Sequence, residues 1–420
     1  MSPASGRIVE LAGGVGGARL GQGLQAILGA DLTVVVNTGD DVERHGLLVC
    51  PDHDTVLYTL AGIEGPFGWG IAGDTSVAMA QLGIYGEETW FGLGDRDLAA
   101  HIVRTARIRA GSSLTEANLG LQHSLGVVAT ILPMTDDPVR THVRTAEGWL
   151  EFQEYFVHRH QEPAVLEVRC EGIEAARPTA RVKAALAVAR AILIAPSNPI
   201  VSVGPILAVP GLIGLVNEAR ASGTPVVAVS GIIGGHALKG PADRMLASLG
   251  HEPSALGVAR LYAGLATGFV LDPVDAQLVP AIEALGLRTR VVDTIMVDDA
   301  SRARVAGEVL DFAASLTGDI GDVGVGRHAD VVQIHGKRDV SARARREIAC
   351  QSLGSHHRPR IQVVYVFPRA GLGRDVPGGR RSPGDGRQRA VAPKDRQARV
   401  KRPELRLFFL VCEEMHHEIW

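Results

Sequence analysis

The feature that most restricts the fold comes at the start of the chain. Residues 8–12 form a short strand-like run that ends in Gly13-Gly14-Val15-Gly16-Gly17, and Leu20, Leu24, Ile27 and Leu28 follow at helical spacing before Gly29 closes the helix. A strand that passes through glycines straight into a helix predicts a βα unit, whose next strand runs parallel to the first. Residues 32–36 (Leu-Thr-Val-Val-Val) supply that strand, a β-branched run suited to burial on both faces.

The alternation persists. Residues 191–195, 225–229 and 290–295 read as strands, and 179–190, 212–221 and 299–314 as helices between them. The pattern predicts an α/β fold, a Rossmann-like doubly wound and mostly parallel sheet. Composition agrees, because 50 of 420 residues are Gly and only 4% are aromatic, which suits tight turns between α/β layers. Residues from about 97 to 178 break the rhythm, with helical runs at 97–110 and 115–125 and alternating segments at 139–145 and 165–169. They are expected to form an α/β insertion over one sheet edge.

From about residue 317 the text changes. The last 100 residues carry a net charge of +9 and the first 320 carry −12, so the near-neutral −3 of the whole chain joins an acidic body to a basic tail. The expected organisation is one domain over 1–316 and a tail over 317–420. The tail is rich in Arg, Gly and Pro, lacks sustained periodicity apart from a strand-like run at 361–367, and reads as disordered. Such text also arises when a GC-rich gene is read out of frame, so the tail is expected to be a non-homologous artefact of that kind or a dispensable extension.

Several classes are set aside. The four cysteines, Cys50, Cys170, Cys350 and Cys412, form no CxxC pair and indicate neither a zinc site nor a disulfide framework. No apolar run reaches the roughly 18 residues of a membrane helix, and MSPASGR holds no apolar signal region. A cytoplasmic enzyme is expected, without membrane or nucleic-acid partners. A nucleic-acid binder using the basic tail is the weaker alternative, since the body is acidic and the tail lacks interleaved aromatics.

Chemistry-bearing residues cluster after the strand-like runs. The glycine turn suits close backbone approach to a phosphate at a helix N-terminus, although a tight turn without a ligand needs the same glycines. Asn37-Thr38-Gly39-Asp40-Asp41 follows the second strand, where open α/β sheets bind ligands. Adjacent carboxylates repel unless a cation is near, which points to magnesium, while a solvated turn is the plainer alternative. Asp52 and Asp54 add two acids at a helix start; Asp54 is either a plain N-cap or a functional group that shares a metal with Asp40 or Asp41 or accepts a substrate hydroxyl. A short strand is expected at 90–93, then Asp95 or Asp97 as a helix cap, with Arg96 beside them on a phosphate or a planar acceptor or in a surface salt bridge. Ser197-Asn198-Pro199, with Ser202, follows another strand, and Ser230-Gly231, Lys239 and Pro241 make a further strand-to-helix loop, Pro241 fitting the first helical position. An NAD-linked oxidoreductase on the same sheet is disfavoured by irregular glycine spacing and by the acid pairs after the second strand.

Read together, ELAGGVGGARL, VVVNTGDDVERHGLLVCPDHDTVLYTLAG, WGIAGDTS, WFGLGDRDLAAHI, ILPMTDDPVRT, LEFQEYFVHR, APSNPIVSVGPIL and GIIGGHALKGPAD resemble, in order across residues 8 to about 315, the 2-phospho-L-lactate transferase family, called CofD in archaea and FbiA in actinobacteria. The wording leans to the actinobacterial branch, and Gly231 stands where the family pattern reads Pro. The resemblance implies a step in coenzyme F(420) synthesis. The terminal hydroxyl of the deazaflavin FO attacks the phosphorus bearing a three-carbon acid in a guanosine-diphosphate-linked donor, lactyl or enolpyruvyl, and GMP leaves. It also implies magnesium and a homodimer. Asp41 and Asp54 are the expected catalytic acids, and Asp40, Asp41 and Asp54 the expected metal set. Asp54 and Arg96 are expected on FO. Gly13, Gly14, Gly16, Gly17, Asn37, Thr38, Ser197, Asn198, Pro199 and Ser202 are expected on the donor nucleotide.

Overall fold

The structure, a computed structural model, describes residues 7–240 and 242–317. The tail from 318 onward and Pro241 lie outside the described residues. Seven strands build the main sheet: β1 (Arg7–Ala12), β2 (Leu32–Val36), β3 (Thr130–Pro133), β4 (Ala189–Ile194), β5 (Val226–Val229), β6 (Gly268–Leu271) and β7 (Arg288–Val291). Every pairing is parallel, and the order is β7-β6-β5-β4-β1-β2-β3. The chain runs outward from β1 to β3 and then restarts at β4 on the other side. That reversal between β1 and β4 is the switch point, and its crevice lies outside the strands' carboxyl ends.

Four helices frame the site: α1 (Gly14–Leu28), α2 (Pro51–Leu60), α3 (Asp95–Arg109) and α4 (Asp299–Leu316). Strand alternation divides the core into two layers. Val9 and Leu11 of β1 pack on one face with Val35, Ile192 and Ile194. Ile8 and Ala12 face the other layer with Leu20 and Leu24 of α1 and Val305, Val309 and Phe312 of α4. Each such side chain stabilises by about 1.5–3 kcal/mol when fully buried. α1 and α4 meet closely because Gly23 has no side chain to strike the Arg302 carbonyl.

The segment expected as one insertion at 97–178 divides in two. β3 lies within it yet forms an edge of the main sheet against β2. The remainder includes a separate antiparallel sheet ordered Gly148–Glu151, Arg140–Thr145, Glu167–Glu171. Residues 90–93 form no strand; the run is short and holds Gly92, and Gly94 leads directly into α3. The helix expected to reach 190 ends at Ala187, because β4 starts at Ala189. β7 starts and ends earlier than the expected 290–295, and the four-residue β6 was not anticipated.

Candidate active site

Three loops meet at the carboxyl ends of β1, β2 and β4. The glycine turn after β1 is hemmed in: side chains at Gly13, Gly16 and Gly17 would strike the Asp52 carboxylate, the Pro196 carbonyl and the Ser197 hydroxyl, respectively. Gly14 adopts φ 60°, a conformation glycine takes without strain. Ser197, in the turn after β4, accepts from the Gly13 amide at 3.0 Å and donates to the Gly13 carbonyl at 2.7 Å. One hydroxyl thus clamps together the two turns that flank the switch point.

Asn37 ends β2 and joins the two acid pairs. Its Nδ2 donates to Asp40 Oδ1 at 3.1 Å and to Asp52 Oδ2 at 3.0 Å, while its Oδ1 accepts from the Gly39 amide at 2.7 Å. Asn37, expected on the nucleotide, is fully buried and engaged in this scaffold. Burial pushes Asp52 up to about 6, against hydrogen bonds from Asn37, Ser202 and the Gly14 amide. Asp40 is also raised, first by burial and then by Asp52 and Asp41. Burial pushes Asp41 up to about 7, opposed by Arg140, the Cys50 thiol and Arg104. The thiol donates to Asp41 Oδ2 at 3.3 Å, and Oδ1 is buried without a partner. The antiparallel sheet and the turn that follows its strand Gly148–Glu151 close over this loop: the Thr141 amide donates to the Gly39 carbonyl at 2.5 Å and Gln153 Nε2 to the Asp40 carbonyl at 3.2 Å.

Asp54 is not an N-cap, because Pro51 opens α2 and places Asp54 inside the first turn. Its Oδ2 accepts from Arg104 Nη1 at 3.0 Å and its Oδ1 from Nη2. Arg104 comes from α3, is fully buried, and gives its Nε to Asn118 at 2.7 Å. Its Nη1 also lies 3.1 Å from His101 Nδ1. His101 Nε2 is 3.2 Å from Asp97 Oδ1, which accepts the Tyr58 hydroxyl at 2.6 Å. Burial alone would raise Asp54, but Arg104, with His53 and His101, holds its carboxyl well below the usual carboxylate range.

Arg96 is exposed on the rim, with Nη1 on the Ala72 carbonyl at 2.9 Å. Neither Asp95 nor Asp97 caps α3. Asp74 does, accepting the Arg96 and Asp97 amides at 2.9 and 3.0 Å. Asp95, already inside that helix, caps the helix Val77–Ile84 by accepting from Val77 at 3.0 Å and Ala78 at 2.8 Å. Of the other expected residues, Pro199 and Ser202 are buried in the turn after β4. Asn198 accepts the Ile200 amide at 2.9 Å, while its Nδ2, like Thr38 Oγ1, is buried without a partner.

The expected metal set of Asp40, Asp41 and Asp54 is not gathered at one point. Among the described residues, the trio whose ligand atoms lie within 4.8 Å of one another is Asp54, Asp97 and His101. Arg104 already supplies positive charge to that trio. Asp40, Asp41 and Asp52 are less well balanced, and magnesium needs only one or two protein carboxylates beside phosphates. The partnerless Asp41 oxygen, and an Asp40 raised by both Asp52 and Asp41, therefore fit a divalent cation. Arg104 and Arg140 were not among the expected site residues, and Asp52 was not among the expected metal ligands. Helical spacing of Asp97, His101 and Arg104 could have flagged Arg104; Arg140 arrives from a separate sheet and leaves no local signal.

Acids short of counter-charge beside a helix N-terminus, at the switch point of a parallel sheet, mark the doubly wound α/β proteins that bind ligands in this crevice. Within that class the chain belongs to the CofD family of transferases, whose model, 2-phospho-L-lactate transferase CofD, matches residues 8–306. A phosphoenolpyruvate transferase of Streptomyces griseus is 45% identical over 321 residues, covering 74% of this chain and 99% of the relative. A 2-phospho-L-lactate transferase of Methanosarcina acetivorans is 40% identical over 301 residues, covering 71% and 96%. A crystal structure of a UPF0052 family member from Bacillus halodurans is 16% identical, with a TM-score of 0.48, covering 73% of this chain and 99% of that one. No described helix is long and apolar enough to cross a membrane.

Proposed function

We propose that the protein transfers a phosphoenolpyruvyl or 2-phospho-L-lactyl group from its guanosine-diphosphate-linked donor to the ribityl hydroxyl of FO, in the synthesis of coenzyme F(420). The hydroxyl oxygen forms a bond to the phosphorus that bears the three-carbon acid. The bond from that phosphorus to the bridging oxygen breaks, GMP departs with that oxygen, and the hydroxyl proton passes to a protein base, giving (dehydro) coenzyme F(420)-0. The observation that carries this reading is the buried acid cluster around Asn37, set against the first turn of α1 at the switch point. Such transfer depends on alignment and charge balance more than on covalent help.

The roles follow from the contacts. The Gly13 and Gly14 amides are turned onto Ser197 and Asp52, so Val15 and Gly16 supply the first-turn amides for the diphosphate. Thr38 Oγ1 and Asn198 Nδ2 are further polar groups for the donor. Asp41, whose Oδ1 has no partner, is the acid assigned to accept the hydroxyl proton. Asp54, fixed as an anion by Arg104, orients FO together with Arg96. Asp40 and Asp41 would hold magnesium, which when bound offsets the charge of the donor phosphates. A mass-resolved assay with FO, magnesium and each donor in turn tests this reading. It expects GMP and a new FO adduct in equal amounts, and GMP without the adduct would point to hydrolysis instead.

A further inference from the structure

Residues 65–70 form a tight loop whose backbone is fixed while its two rings face water. The Gly65 amide donates to the Gly70 carbonyl at 2.9 Å and the Gly68 amide to the Gly65 carbonyl at 2.9 Å. Lys239 Nζ, from the loop after β5, donates to the Phe67 carbonyl at 2.6 Å. Phe67 and Trp69 stack on each other, with centroids 6.0 Å apart and planes 27° apart, yet each is 58% exposed. The other described tryptophans each carry a guanidinium over the ring: Trp90 carries Arg44 at 4.2 Å, with His158 stacked at 4.7 Å, and Trp149 carries Arg169 at 4.5 Å. Among them, Trp69 has no cation over its ring. Gly68 rests on the glycine turn, since a Cβ there would come 2.7 Å from Val15 Cγ1.

We propose that Trp69, backed by Phe67, is the stacking platform for the purine base of the nucleoside-diphosphate-linked donor. This rests on the donor reading above, which puts the diphosphate on the Val15 and Gly16 amides. The loop seated on Val15 is the neighbour of a base extending from that diphosphate, and because Arg96, assigned to FO, bonds the Ala72 carbonyl three residues beyond Trp69, FO binding is measured beside GDP. Stacking on an aromatic ring suits any flat heterocycle and needs no hydrogen-bond readout. The test measures binding of GDP, inorganic pyrophosphate and FO to the wild-type protein, Trp69→Leu and Trp69→Phe. The expected result is about tenfold weaker GDP binding for Trp69→Leu, partial recovery in Trp69→Phe, and unchanged binding of pyrophosphate and FO. Equal GDP binding by all three proteins would overturn the platform and leave the donor reading intact, and so would a loss confined to FO, which would assign the ring to the acceptor. If the wild-type protein binds neither GDP nor pyrophosphate, the donor reading fails and the platform with it.

Discussion

Asp54, in the first turn of α2, and Asp41, in the loop after β2, are almost equally buried, yet their surroundings drive them apart. Asp54 is caged by a fully buried arginine and held ionised, whereas Asp41 keeps a bare oxygen and is raised to about 7. The contrast teaches that burial alone does not set the charge of a carboxylate; the counter-charge provided with it does. Two environments that push two acids in opposite directions divide the work between a fixed anion and a group able to exchange a proton or take a cation.

Breaking the cage should have the largest effect. Arg104→Met leaves Asp54 buried without its partner, and chemical denaturation should show a loss of about 3–5 kcal/mol. A loss below about 1 kcal/mol would mean that the guanidinium does not hold Asp54. On the other side of the comparison, Asp41→Asn removes charge from a crowded cluster. Transfer should fall about 10²–10⁴-fold, while the metal-free protein keeps its stability or gains some. An Asp41→Asn protein that unfolds as readily as Arg104→Met would erase the distinction between the two acids.

The same comparison fixes a pH dependence. Asp41 and Asp52 titrate near 7 and 6 in the folded protein, raised by burial from the usual 3.8. Between those limits the folded state binds more protons than the unfolded chain, so stability without metal should fall as pH rises from about 4 to 7. The charges around Asp41 are Arg140, Arg104, Asp54 and Asp40, and the neutral Cys50 thiol adds a hydrogen bond. Asp54 acts oppositely: its lowered pKa contributes stability that is present above about pH 4 and lost on further acidification. Magnesium should flatten the slope between 4 and 7 by holding the acids ionised. Denaturation curves at several pH values, with and without magnesium, check this; a slope that magnesium leaves unchanged would remove the metal from the Asp40–Asp41 side.

Much of this was legible because the chemistry sits where strands end. The run from residue 8 through the glycines, the Asn37-to-Asp41 loop and the Ser197 turn each follow a buried β-branched or aliphatic strand, so periodicity located them. The pairing of Asn37 with both Asp40 and Asp52 was not legible, since sequence spacing does not tell which acids share a donor. Arg104 was missed for a related reason: its partner lies 50 residues away, and only side-chain bonds between α3 and α2 join them. The misread strand at 90–93 shows the reverse error, a short aromatic run without a neighbour to pair with.

The smallest effect is expected inside the cage. His53 sits between Asp52 and Asp54, is buried, and has no hydrogen-bond partner on either ring nitrogen. Its Nδ1 stands 3.9 Å from Asp54 Oδ1, beyond hydrogen-bond reach, and burial lowers its pKa. The ring is therefore neutral at pH 7 and contributes less than the Arg104 guanidinium to holding Asp54. Replacing an unpartnered buried polar group by an apolar one is close to neutral for stability, so His53→Leu should stay within about 1 kcal/mol of the wild-type protein. If the loss instead approached that of Arg104→Met, the charge that fixes Asp54 would be shared between the two side chains. The contrast with Asp41 would then rest on the whole pocket rather than on one guanidinium.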